Sequence, residues 1–112
     1  MKAVAEIDAG VCNFHTTVRA TSEDEQNVTF EIISECEKVR ALGEALQAKG
    51  PVDAYQEISP VGESVVMQTV REVLKGCCAG CATPVGIFKA MQVSAKLALP
   101  ADITIRLSKD EG

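Results

Sequence analysis

Aromatic residues are scarce in this sequence, which contains no tryptophan, one tyrosine and three phenylalanines among 112 residues. A core built from it must therefore be packed mainly from valine, isoleucine, leucine and alanine. The single histidine completes no recognisable Ser-His-Asp set, and the glycines form no phosphate-binding loop. The sequence thus gives no positive sign of an enzyme.

Long apolar runs and an excess of basic residues are also missing. No run approaches the roughly 20 apolar residues of a membrane helix, and the first eight residues lack the apolar centre of a signal peptide. The formal net charge of -5, without a basic stripe, argues against nucleic-acid binding. We therefore expect a cytoplasmic protein that binds neither membranes nor nucleic acid.

The remaining composition is that of an ordinary globular chain, with 46 % hydrophobic and 24 % charged residues. A chain of this length predicts a single domain, residues 1–112. Such a domain buries roughly two-thirds of the surface that the unfolded chain exposes, so its core needs no disulfide or metal.

Three early segments alternate between apolar and polar residues, as half-buried strands do. They are residues 2–8, 14–21 and 28–33, and the acidic stretch 22–27 predicts a hairpin turn. A similar alternation of Ile103, Ile105 and Leu107 predicts a fourth strand near the C-terminus.

Three helices are predicted between the third and fourth strands. The first begins at Ser34, because Ser34 and Glu37 have the spacing of a capping box, and it ends before Gly50. The second and third begin at Ser59 and Thr83, each a capping residue followed by proline.

The predicted order is therefore β-β-β-α-α-α-β. Grouped strands followed by grouped helices indicate an α+β fold, a mainly antiparallel sheet with three helices on one face. A free sheet edge at the first or fourth strand could pair with another copy, so a homodimer or another protein partner is one interpretation.

Three of the five cysteines, Cys77, Cys78 and Cys81, lie in the stretch 75–84. Two residues separate Cys78 from Cys81, a spacing that lets both sulfurs reach one tetrahedral ion. The pair precedes the predicted helix start at Thr83, where free N–H groups and the helix dipole favour thiolates. Without a signal peptide, clustered cysteines are more often metal ligands or redox thiols than structural disulfides.

The other two cysteines occupy similar positions at the ends of predicted elements. Cys12 lies between the first two strands, and Cys36 lies in the first turn of the first helix. We therefore predict that Cys12, Cys36, Cys78 and Cys81 hold zinc or an iron–sulfur cluster.

Cys77 and His15 are alternative ligands in this prediction. Cys77 adjoins Cys78, but the two-residue spacing to Cys81 favours Cys78. His15 is three residues from Cys12, yet it shares a strand face with Arg19, which instead predicts a solvent-facing side chain.

Two other interpretations of the cysteines stay open. Cys78 and Cys81 could cycle between dithiol and disulfide as a thiol redox pair. Alternatively, the cysteines could merely pack in a non-catalytic interaction module, as Cys36 would on the apolar stripe of its helix.

The order of the cysteines resembles that of the NifU-like iron–sulfur scaffold domain. That family has one cysteine before a β-hairpin, a second opening the next helix and a third opening the last helix, which converge on a cluster or zinc. Cys12, Cys36 and Cys81 match them in order, and Cys78 would replace a neighbouring histidine ligand. The sequence has Cys12-Asn-Phe where that family has Cys-Gly-Asp.

A second resemblance is to an uncharacterised family of small proteins from anaerobic bacteria and archaea. Its motifs are found around Cys12, Cys36 and Cys81, and in Leu97-Ala-Leu-Pro100. This resemblance implies no particular function.

Overall fold

An antiparallel sheet with helices on one face forms the structure, a computed structural model that describes residues 1–110. The strands, in spatial order, are β1 (Lys2–Asp8), β2 (His15–Thr21), β3 (Asn27–Ser34) and β4 (Val52–Asp53). The helices are α1 (Glu37–Lys49), α2 (Ala54–Ile58), α3 (Val65–Val73), a 3-10 helix (Gly76–Gly80) and α4 (Thr83–Ser94). The predicted α+β class and antiparallel sheet are confirmed.

The period-two alternation of the strands separates a buried face from an exposed one. On β2, Thr16, Val18 and Ala20 are at most 1 % exposed, whereas Arg19 between them is exposed. Helix α4 packs against β1 and β2, α1 packs against β3, and α3 packs against α1 and α4. The core therefore lies between one face of the sheet and these helices, and the opposite face is open to solvent.

Small residues bring the helices close to the sheet. A β-carbon at Gly43 of α1 would lie 3.0 Å from Cβ of Ile32 in β3. A β-carbon at Gly86 of α4 would lie only 2.3 Å from Cδ1 of Ile7 in β1. Both glycines therefore set the distance between a helix and the sheet.

Two predicted helix starts are wrong. Helix α1 begins at Glu37 with Cys36 as its N-cap, because the Ser34 hydroxyl bonds instead to Thr16 Oγ1 (2.7 Å) and the Cys36 N–H (3.0 Å). Ser59 ends the short helix α2, and α3 begins only after Ser64, whose hydroxyl accepts the Met67 N–H.

The predicted third helix start is confirmed, since α4 begins at Thr83 with proline in its first turn. The cap residue is Ala82, which has no side-chain oxygen to accept a hydrogen bond. The predicted end of the first helix is also confirmed, because Gly50 follows Lys49 with φ of 78°, a conformation that glycine adopts without strain.

The predicted fourth strand is wrong for this chain. Residues 103–107 form no strand, and the fourth strand of the sheet is the two-residue β4 after α1. Residues 99–110, the C-terminal tail, have no regular structure and are exposed. Among residues 1–110, no helix is both long and apolar enough to span a bilayer.

Candidate metal or thiol site

Two of the cysteine-bearing segments meet at one end of the sheet because of its register. Asp8, the last residue of β1, pairs with His15, and Thr16 pairs with Ser34, the last residue of β3. The loop 9–14, which carries Cys12, and the entry to α1, which carries Cys36, therefore leave the same end of the sheet.

The third segment comes to this end through the packing of α4. Gly86, in the first turns of α4, lies against Ile7 near the end of β1. The 3-10 helix and Cys81 immediately precede α4 in the chain. The five cysteines thus lie in two connections at this end of the sheet and in the segment that leads into α4, which together we call the cysteine end (residues 9–14, 35–36 and 76–82).

The Cys78–Cys81 spacing forms a single turn. The Cys81 N–H donates to the Cys78 carbonyl at 3.1 Å, and the Cys78 N–H donates to the Lys75 carbonyl at 3.3 Å. Both cysteines are half-buried and pack against the edge of the core, whereas Cys77 is exposed. In this turn, Cys78 and Cys81 therefore face the protein, whereas Cys77 faces solvent.

Cys81 also contacts the start of α4. Its Sγ accepts the Thr83 N–H at 3.5 Å and donates to Thr83 Oγ1 at 3.3 Å. This N–H is one of the groups at a helix start that have no carbonyl partner within the helix. The Cys81 sulfur thus accepts a hydrogen bond at the start of α4, where the cap residue Ala82 has no side-chain acceptor.

Cys36 and Cys12 differ in burial. Cys36 is half-buried at the N-cap of α1, where its sulfur makes no capping hydrogen bond. Cys12 is exposed in a tight loop, in which Gly10 and Asn13 have φ of 91° and 59° and the Asn13 N–H donates to the Gly10 carbonyl at 2.8 Å.

The structure brings the cysteine segments together but not their sulfurs. All five cysteines are free thiols. Among the described residues, no three histidine, cysteine, aspartate or glutamate side chains lie close enough to hold one metal ion. A four-cysteine site would require the sulfurs to lie closer together than they do here.

His15 lies apart from the thiols, on the open face of the sheet. Its Nδ1 is 2.8 Å from Asp8 Oδ1 and its Nε2 is 2.5 Å from Glu6 Oε2. The His15 ring donates hydrogen bonds to Asp8 and Glu6, which raise its pKa above 6.5, and the bond with His15 lowers the pKa of Glu6 below 4.5. The solvent-facing interpretation therefore describes His15 better than the ligand interpretation, because carboxylates occupy both ring nitrogens.

The contacts of His15 with Asp8 and Glu6 were not predicted from the sequence, although the strand register indicates them. Residues 6 and 8 share the outer face of β1, and the short connection 9–14 places Asp8 opposite His15. Acidic residues on one strand and a histidine on the next are therefore cross-strand neighbours.

Two surface depressions lie away from the cysteines. One, of about 670 Å³, lies at the opposite end of the sheet, beside Lys2, Thr21 and Gly50. The other, of about 320 Å³, is an apolar groove between α3 and α4 that includes Met67, Val85 and Phe88. Neither depression places a thiol next to a substrate-sized pocket.

The fold and the cysteine end together define a small α+β protein with a cluster of thiol-bearing segments. Residues 3–107 match the model of a family of unknown function (DUF6951), and the chain belongs to this family. No curated protein and no solved structure matches the chain. The resemblance to an uncharacterised family is thereby confirmed at the level of a family without known function.

Proposed function

We propose that the cysteine end binds a thiophilic metal, zinc or an iron–sulfur cluster, through Cys12, Cys36, Cys78 and Cys81. The observation that carries the proposal is that two cysteine-bearing connections leave one end of the sheet, and the third cysteine-bearing segment leads into α4, whose first turns pack at that end. Cysteines that only fill a core have no reason to gather at element ends. Core packing also leaves Cys12 and Cys77 unexplained, because both residues are exposed.

The donor set fits such a group. Four thiolates suit both tetrahedral zinc and an iron–sulfur cluster. Cys78 is the better partner of Cys81 than Cys77 is, because Cys78 and Cys81 both pack against the core while Cys77 faces solvent. Four protein ligands leave no open coordination position, so the bound group would serve in structure, carriage or electron transfer rather than in Lewis-acid catalysis.

Binding requires the cysteine sulfurs to come closer together than they lie in the structure. The loop 9–14 contains two residues in the left-handed region, and Gly76 at the start of the 3-10 helix has φ of 66°. The resemblance to the NifU-like scaffold domain supports the same ligand order, Cys12, Cys36 and Cys81.

The test is to express the protein anaerobically and measure zinc, iron and acid-labile sulfide on the purified chain. We expect about one zinc or one cluster per chain, with Cys81→Ser removing it and Cys77→Ser retaining it. Cys77→Ser is a matched control because it changes a neighbouring thiol that the proposal leaves free. A Cys81→Ser protein that still carries stoichiometric metal would refute the proposal.

A second function is favoured by the Cys78–Cys81 turn alone. A thiolate of this pair would attack the disulfide of a small thiol and release one thiol. The thiolate of the second cysteine would then attack the mixed disulfide and release the second small thiol. The products are a Cys78–Cys81 disulfide and two small thiols. Titration against a glutathione redox buffer tests this function: a defined potential that Cys78→Ser abolishes supports it, and mixed disulfides at several cysteines contradict it.

A further inference from the structure

The outer edge of β1 is an open strand edge. The sheet ends at β1, and within residues 1–110 only β2 pairs with it. Such an edge presents a row of N–H and C=O groups to any strand that can align with them. Ala5 and Ile7, on the core-facing side of β1, are only half-buried, so an added strand would cover apolar surface there.

The C-terminal tail is a strand-like segment without a sheet. Ile103, Ile105 and Leu107 alternate with polar residues, and they are 52 %, 63 % and 93 % exposed. The family model extends to residue 107, so this segment belongs to the part of the chain that defines the family. A free chain in water gains nothing from such a row of exposed apolar side chains.

We propose that residues 102–108 of one copy add to β1 of a second copy as a parallel fifth strand, and that two copies exchange these tails reciprocally. Each copy offers the open edge of β1 and, in residues 102–108, an extended segment of seven residues, the length of β1. In a symmetric dimer, the β1 edge and the tail of each copy are both paired, because the same two surfaces meet twice across a two-fold axis.

Charge selects the parallel direction. When residues 102–108 lie beside residues 2–8 in the same order, Lys2 faces Asp102 and Glu6 faces Arg106. The three apolar tail residues then lie beside Ala3, Ala5 and Ile7, on the same face of the sheet. The antiparallel arrangement that covers the same three residues places Asp8 against Asp102, and like charges directly opposite each other are unfavourable.

The tail leaves the body near the start of β1. Lys96, just after α4, forms an ion pair with Glu25 at the hairpin between β2 and β3, with 2.7 Å between Nζ and Oε1. The Ser22 N–H at that hairpin donates to the Met1 carbonyl. The tail therefore leaves the body at the end where β1 begins, from which a parallel strand must start.

The first test measures the mass of the full chain by sedimentation over a range of concentrations, with reductant and chelator present. We expect a dimer for the parent protein and a dissociation constant raised at least about tenfold by Ile105→Asp. Val61→Asp is the matched control, since Val61 is 95 % exposed in a loop outside the tail. Because the tail does not contribute to the core, Ile105→Asp should fold normally, as circular dichroism will verify.

The second test exchanges the charges. Lys2→Asp and Asp102→Lys should each weaken the homodimer, and mixing the two variants should restore a heterodimer, because every Lys–Asp contact is then re-formed in trans. A monomer at all concentrations overturns the proposal. So does a dimer that persists unchanged in Ile105→Asp, or a mixture that fails to form the heterodimer. Cysteine variants have no part in these tests, so their outcome is independent of the proposed metal site.

Discussion

Glu57 Oε1 lies 2.8 Å from the backbone nitrogen of Val66, and this pair fixes the start of α3. The other carboxylate oxygen accepts the Val65 N–H at 2.7 Å, and the Ser64 hydroxyl donates to Oε1 at 2.7 Å. Glu57 is only 4 % exposed. A buried carboxylate from α2 thus serves as the anion that the N–H groups of the next helix need.

Glu57→Ala should lower the free energy of unfolding by about 2–4 kcal/mol, because it leaves one buried and one partly buried N–H group without an acceptor. Urea denaturation measures the change. Glu63→Ala is the control: Glu63 is exposed and forms only a 3.4 Å ion pair with Arg71, so its loss should cost less than about 0.5 kcal/mol. Equal stability of the two variants would show that Glu57 does not cap α3.

The sheet could be predicted from the sequence because burial of one face forces period-two alternation. The bounds of β1 are those predicted, β2 begins one residue later than predicted, and β3 is longer by one residue at each end. The same reasoning failed at residues 103–107, where the alternation is equally clear. Alternation is a property of one segment, whereas a strand also needs a neighbour to pair with, and residues 103–107 lie beside no strand in the described part of the chain.

Helix starts were harder, because serine hydroxyls have several local uses. Ser34 has the spacing of a capping box, but its hydroxyl is already bonded across the sheet to Thr16. The actual cap of α2 is Asp53, whose carboxylate accepts the Tyr55 and Gln56 N–H groups. The cysteine end was predictable only as a set of element ends, because the side-chain distances depend on packing that no spacing rule contains.

Gly86 tests how closely α4 must approach β1. In Gly86→Ala the added carbon meets Ile7 Cδ1 at 2.3 Å and Cγ1 at 2.8 Å. Overpacking costs about 1–3 kcal/mol, and the better helix propensity of alanine returns up to about 1 kcal/mol. We therefore expect a net loss of about 1 kcal/mol by urea denaturation.

Two further variants identify the cause of that loss. Ile7→Val removes the Cδ1 atom, so the added cost of Gly86→Ala should be smaller in the Ile7→Val background. Gly80→Ala, with nothing within 4 Å of the new carbon, should leave stability nearly unchanged. A loss that is the same in both Ile7 and Val backgrounds would mean that the helix does not press on this side chain.

The thiols should react in an order set by their exposure. In metal-free, reduced protein, Cys12 and Cys77 should be alkylated before the half-buried Cys36, Cys78 and Cys81. Metal loading should then protect Cys12 and leave Cys77 reactive, because only Cys12 belongs to the proposed ligand set. Peptide mass spectrometry after brief alkylation measures both effects. Equal protection of Cys12 and Cys77 would point to aggregation or to nonspecific binding.

Asp24 should contribute to acid stability in a defined range. Hydrogen bonds from the Asn27 side chain and from the Asn27 and Gln26 N–H groups lower the pKa of Asp24 from 3.8 to about 2. Its contribution is therefore present above pH 3.8 and is lost as the pH falls through about 2. Asp24→Ala should be less stable than the parent near neutral pH, with a difference that shrinks across this range in acid denaturation.

His15 offers a direct titration, since it is the only histidine in the chain. Hydrogen bonds to Asp8 and then Glu6 raise its pKa above 6.5, so the stability it adds is complete below pH 6.5 and is lost as the pH rises through the folded-state pKa. For Glu6, whose pKa is lowered from 4.5 mainly by the bond to His15, the contribution is present above pH 4.5 and is lost in acid. Both contributions are therefore present together between pH 4.5 and 6.5.

Proton NMR of the His15 ring checks this arrangement. The parent midpoint should lie above 6.5, with Asp8→Asn lowering it more than Glu6→Gln, in the order of the two hydrogen bonds. Glu31→Gln is the control, because Glu31 lies on the same face but pairs with Arg19, and it should leave the midpoint nearly unchanged. A parent midpoint at or below 6.5 would show that the carboxylates do not hold the imidazolium. Equal shifts in all three variants would indicate a general field of the acidic chain instead of two specific contacts.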